Sequence, residues 1–166
     1  MIERIRRAAT TAPGFRDLQE LLLAAALFAA SAAGLGLATG LFAIQPAAPA
    51  EVAQAAAIAL VFPALGEEIV FRALLVPDRQ ETSRPWPAIA VSTLVFVLWH
   101  LVEAFTILSA HRALFIRPDF LACAAMLGLV CAVLRHRSGS VWTAVALHWA
   151  GVVGWTAWLG GPSLRF

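Results

Sequence analysis

Between Leu21 and Ala50 the chain runs for thirty residues without an Asp, Glu, Lys, Arg or His. About 20 apolar residues span the ~30 Å hydrocarbon layer of a bilayer, so this stretch is long enough for a membrane helix and the loop that follows it. A water-soluble domain has no comparable place to bury it. The remainder is of the same kind. The 166 residues are 61% hydrophobic and 13% charged, where soluble domains carry roughly 25% charged residues. The chain is therefore read as an integral membrane protein.

Apolar runs at 21–42, 52–76, 86–109, 120–134 and 141–159 give about five spans. The expected fold is all-α, a polytopic transmembrane helix bundle over residues 21–160. Residues 1–20 are expected to form a cytoplasmic amphipathic lead-in, with Ile2, Ile5 and Arg6 at the interface. Arg4, Arg6 and Arg7 ahead of an apolar stretch ending at Ala48-Pro49-Ala50 imitate a signal peptide. The stretch far exceeds the 7–15 residues of a secretory apolar region, so it is read as a retained helix. Arginines in short loops set orientation. With the N-terminus cytoplasmic, Arg4, Arg6, Arg7, Arg16, Arg79, Arg84, Arg135 and Arg137 lie inside, and Arg112, Arg117 and Arg165 lie outside.

All basic residues are arginine, and Lys, Asn and Tyr are absent, which fits a GC-rich coding genome. Cys123 and Cys131 fall eight apart in one apolar segment and match no metal-ligand spacing. Gly34, Gly36 and Gly40 are read as close-packing positions on the first helix. His111 and His136, set among loop arginines, are expected at solvent or headgroups.

Ionisable residues inside the spans carry the functional reading: Glu67, Glu68, Arg72, His100, Glu103 and His148. A charged side chain facing lipid at mid-bilayer costs at least ~2.5–3.5 kcal/mol, so these residues should turn inward and meet. Glu68 and Arg72 are four apart and share a helix face, which suits an ion pair. Glu67, about 100° round the helix, is left without that partner and is placed to take a proton from water. His100 and His148 belong to two other helices. Together with Glu67 they can hold and polarise one water molecule, with the histidines orienting it or stabilising an oxyanion. Glu103 follows His100 by three. It is placed either to orient that imidazole or to end the helix beside Arg112 and Arg117. Pro63, four residues before Glu67, is expected to kink its helix.

These residues resemble the CAAX prenyl protease and bacteriocin-processing (CPBP, or ABI) family of intramembrane proteases. EExxxR reads Glu67-Glu68-Ile69-Val70-Phe71-Arg72, and FxxxH reads Phe96-Val97-Leu98-Trp99-His100. HxxxN is half kept, as His148-Trp149-Ala150-Gly151-Val152. The likeness covers roughly 51–160. The resemblance implies that Glu67 activates the hydrolytic water, that Glu68 and Arg72 support the helix, and that His100 and His148 complete the site. At Val152 the family usually has an Asn that helps hold the tetrahedral oxyanion. Losing one such donor costs ~10²–10³ in rate. Backbone N–H groups, the Trp149 indole or His148 are candidate substitutes.

Two His and one Glu are also a legitimate zinc set, which sequence cannot separate from a Glu-activated water. HExxH is absent, and the resemblance favours the metal-free glutamate mechanism without a cofactor. The resulting expectation is an intramembrane endopeptidase acting on a membrane-anchored protein or peptide, in the manner of C-terminal anchor or sorting-signal processing, in a bacterial inner (plasma) membrane. No nucleic-acid partner is expected. The alternative is a catalytically weak or inactive CPBP-like immunity or binding protein, and Val152 is the feature that favours it. A proton-coupled carrier would need repeat symmetry or paired broken helices, which the sequence does not display.

Overall fold

The computed structural model describes residues 2–162. Arg165, one of the arginines expected outside, lies beyond them. All regular elements among the described residues are helical: α1 Ile2–Thr10, α2 Phe15–Thr39, α3 Pro49–Ala59, α4 Gly66–Glu68, α5 Trp86–Phe105, α6 Arg112–Phe115, α7 Pro118–Ser138 and α8 Trp142–Trp158. Wider π-type turns at Leu60–Leu65 and Ile69–Leu74 flank α4. An isolated bridge between Gln45 and Leu159 ties the loop after α2 to the end of α8. Helices α2, α5 and α7 are long and apolar enough to cross a membrane. The other two expected spans are the interrupted segment from α3 to Leu74 and the 17-residue α8.

The ends follow local chemistry. Helix α2 starts where the Gly14 N–H donates to the Asp17 carboxylate at 2.8 Å, earlier than the apolar run alone indicates. It stops at Gly40, whose φ of 69° is left-handed and open to glycine at little cost. Gly34 has open space where a side chain would stand, and Gly36 accommodates the Phe42 ring. The glycines of α2 therefore end the helix and seat its own following loop rather than another span. Between α3 and α4 the backbone breaks at Phe62, with φ −140° and ψ 119°. Pro63 forces this: its ring clashes with a helical residue before it and pushes that residue to extended backbone.

Helix α7 continues past Leu134 to Ser138. As a result His136 is buried rather than exposed, and its Nδ1 donates to the Pro77 carbonyl at 2.7 Å. His111 is exposed. Helix α1 docks beside this end of α7. Arg4 meets Glu81 at 2.7 Å, Arg7 meets Glu81 at 2.8 Å, and the Val141 N–H donates to the Ala8 carbonyl at 3.0 Å. Arg137 pairs with Glu20 across α7 and α2.

The central core joins Phe71, Phe96, Leu127, Cys131, Leu134 and Leu147 from four segments. Helix α7 is the hub, packed against α2, α5 and α8. Both free thiols on α7 are buried, Cys131 in this core and Cys123 in a second cluster with Phe115 and Phe120. Chain ends alternate: α1, the 75–85 loop and the α7–α8 turn gather at one end. The 40–48 loop, α6 and the end of α8 gather at the other.

Candidate active site

Glu67 and Glu68 sit just after the Phe62 break, on the one helical turn that separates two π-type turns. Such irregular turns in membrane segments occur where protein surrounds them or a cavity adjoins them. Here the two carboxyls point in different directions.

Glu68 turns into the bundle with no exposure, as does Arg72, and Arg72 Nε lies 3.2 Å from Glu68 Oε2. This is the four-residue pairing expected from the sequence. The geometry is Coulombic more than hydrogen-bonded, because Nη1 and Nη2 of Arg72 have no acceptor among the described residues. Instead the guanidinium lies over the Phe96 ring, 4.1 Å from its centroid. A cation over an aromatic face gains up to about 2 kcal/mol when water is excluded. The other Glu68 oxygen accepts from His148 Nδ1 at 2.8 Å. One buried carboxylate therefore holds both a cation and an imidazole.

Glu67 faces a cavity of about 530 Å³ that His100, Glu103, His148 and Val152 also line. Its Oε1 accepts from the Trp99 indole N–H at 3.2 Å. Its Oε2 has no hydrogen-bond partner among the described residues and stands 3.9 Å from His148 Nε2. That separation is too long for a direct bond and suits one bridging water.

His100 is oriented by its own helix: Nδ1 lies 2.8 Å from the Phe96 carbonyl. A carbonyl oxygen only accepts, so Nδ1 carries the proton and Nε2 of the neutral ring is an acceptor. At His148, Nδ1 donates to the Glu68 carboxylate, which fixes the direction of the ring. Phe96 fixes both rings further, meeting them edge-on at centroid distances of 4.7 and 5.7 Å. The motif phenylalanine is thus a hub for Arg72, His100 and His148 together.

Glu67, His100, His148 and Val152 are brought to one cavity, with Glu68 and Arg72 behind it. Two further residues belong to the same wall. The sequence assigned Trp99 no part in the site, although it adjoins His100. Glu103 neither orients His100 nor reaches the loop arginines. It is buried and lines the same cavity as Glu67. Phe96, His100 and Glu103 form an i, i+4, i+7 stripe on one face of α5, and that spacing is the signal that could have revealed it. Among the described residues, no group of three or more His, Cys, Asp and Glu side chains is arranged to hold a metal ion.

The rest of the lining is mostly apolar, with the Thr156 hydroxyl and the Trp155 indole N–H, which has no partner among the described residues, as exceptions. The cavity extends toward the 40–48 loop and α6, past Phe42, Phe115, Phe120 and Trp155, with α2 forming one wall.

A family model described as type II CAAX prenyl endopeptidase Rce1-like matches residues 49–153, more than half of the chain. Comparison with curated proteins gives no match, and comparison with solved structures gives none. The matched segment contains Glu67, His100, Glu103 and His148, the titratable residues of the cavity wall. With its three apolar helices, this is a membrane protein, and the chain belongs to the type II CAAX prenyl endopeptidase Rce1-like family of proteases.

Proposed function

We propose that the protein is an intramembrane endopeptidase that hydrolyses a peptide bond of a membrane-anchored protein or peptide, with Glu67 activating the water. The observation that carries this reading is the 3.9 Å gap between Glu67 Oε2 and His148 Nε2, inside a cavity that His100 also lines. A water there can give one proton to Glu67 and direct its other hydrogen to a histidine Nε2. Attack on the carbonyl carbon follows, and Glu67 returns its proton to the departing amine. Glu68 and Arg72 act from behind, fixing the helix turn and the His148 tautomer.

The arginine distribution supports a cytoplasmic N-terminus, and the membrane is read as a bacterial inner one. The cavity would then open toward the extracytoplasmic side, reached by a C-terminal anchor or sorting segment. The test is a cleavage assay in membranes, run on C-terminally anchored and leader-type substrates. Wild type and Glu67→Gln are compared at equal folded protein. Cleavage that Glu67→Gln abolishes supports the reading, and cleavage that persists in Glu67→Gln removes it.

Val152 supports a second reading, a binding or immunity protein that keeps the fold and lacks the chemistry. Substrate capture without cleavage, by both wild type and Val152→Asn, would favour it.

A further inference from the structure

Six tryptophans stand in the chain, and the indole N–H of all but one is accounted for. Trp99 donates to Glu67 at 3.2 Å, Trp142 to the Ala9 carbonyl at 2.8 Å and Trp149 to the Ala56 carbonyl at 2.8 Å. Trp86 and Trp158 are exposed. The exception is Trp155. Its Nε1 is buried and has no acceptor among the described residues. Taking an N–H out of water without giving it a partner is unfavourable, so this donor calls for an explanation.

Its place supplies one. On α8 the cavity lining passes from His148 through Val152 to Trp155 and Thr156. A helix rises ~1.5 Å per residue, which puts Trp155 ~10 Å beyond His148 along the axis. Trp155 therefore stands away from the reacting groups, where the cavity runs toward the 40–48 loop and α6. Its ring packs against Phe42 and Phe120 at centroid distances of 5.8 and 5.7 Å, and Phe120 meets His100 at 5.5 Å. The neighbouring Thr156 hydroxyl can turn to a carbonyl of its own helix; an indole N–H cannot. An extended peptide advances ~3.3 Å per residue. A chain whose scissile carbonyl lies between Glu67 and His148 therefore brings a main-chain carbonyl about three residues away to the level of Trp155. In this mostly apolar part of the cavity that carbonyl has lost its water and lacks a donor. The two needs match.

We propose that Trp155 is a substrate-binding residue whose indole N–H donates to a main-chain carbonyl of the bound peptide, about three residues from the scissile bond. This rests on the peptidase reading above. The donor is sealed from water in the free protein and is satisfied when the entering chain parts the Phe42 and Phe120 rings. Every residue carries a main-chain carbonyl, so the contact reads the length and extended form of the segment rather than its side chains. A substrate that ends short of this point loses the contact.

The test uses full-length protein in lipid nanodiscs and the membrane-anchored peptides of the cleavage panel. Trp155→Phe keeps a ring and removes the N–H. It should raise KM about tenfold with little change in kcat, at wild-type yield of folded protein. On the peptide, an ester replacing one amide at a time weakens one carbonyl acceptor at a time. One position about three residues from the scissile bond should weaken binding to wild type severalfold and make no difference to Trp155→Phe. A tryptophan that only fills space would not show that position-specific coupling. In NMR, the Trp155 indole N–H signal, identified by its loss in Trp155→Phe, should move downfield when uncut peptide binds Glu67→Gln.

A wild-type KM in Trp155→Phe, or an ester scan without such a position, overturns the proposal. A signal already downfield in nanodiscs before peptide is added assigns the N–H to a lipid ester carbonyl and overturns it as well. Should Trp155→Phe fail to fold, the ester scan on wild type decides. Loss of cleavage in Glu67→Gln upholds the peptidase reading in each of these cases. If wild type binds peptide without cutting it, the peptidase reading alone falls, and the ester scan on affinity decides the subsite. If it neither binds nor cuts, both fall.

Discussion

The Arg72 guanidinium lies 4.1 Å from the centre of the Phe96 ring, so this fully buried cation is held by an aromatic face as well as by Glu68. Phe96→Leu removes that face and releases the edge contacts to His100 and His148. The expected loss is about 2–3 kcal/mol of stability, read by unfolding in detergent, with slower cleavage at equal folded protein. An unfolding curve matching wild type would show that the ring is only filler.

The adjacent glutamates should separate by phenotype. Glu68→Gln or Arg72→Ala strands a buried charge, which costs about 3–5 kcal/mol, so both should lower the amount of folded protein. Glu67→Gln leaves that pair intact and should accumulate as wild type does while losing cleavage. Size-exclusion profiles of the three variants provide the check. Equal folded yields for Glu68→Gln and Glu67→Gln would contradict the division of roles.

Gly128 on α7 is a packing position for this pair. A Cβ built there would meet Phe96 at 3.0 Å and Arg72 Nη2 at 3.3 Å. Alanine gains up to ~1 kcal/mol of helix propensity over glycine, against about 1–3 kcal/mol for overpacking. Overpacking should win, and Gly128→Ala should unfold earlier than wild type, with Gly128→Val earlier still. A more stable Gly128→Ala would mean that the rings yield freely.

Trp99 reaches Glu67 with its only donor. Trp99→Phe keeps the bulk and removes the N–H. Hydrogen bonds to charged groups contribute ~1.5–3 kcal/mol, so cleavage should fall between about tenfold and a hundredfold with folded protein unchanged. A rate equal to wild type would remove Trp99 from the site.

The apolar runs made the spans legible, and the four-residue spacing made the Glu68–Arg72 pair legible, because both depend on the period of one helix. The Phe62 break was legible through Pro63 for the same local reason. Glu103 was harder to read: its distance from His100 is a local fact, but Glu67 lies on another helix, and only packing brings both to one cavity. His136 was misread as solvated because an Arg-His-Arg run resembles a loop. The helix instead continues to Gly139, where φ is 71°, and carries the imidazole under Pro77. The glycines of α2 misled similarly, since small residues permit close packing without showing which partner, if any, uses the space.

The cavity has two authors in the chain. The family match begins at residue 49, whereas α2, ending at Thr39, supplies Ala25, Phe28, Ala29, Ala32 and Ala33 to the opposite wall. The titratable groups and one apolar wall therefore lie on separate segments. Exchanging alanines on α2 would widen or narrow the chamber while Glu67, His100 and His148 stay where they are, so the width of what enters can change without a change at the polar wall.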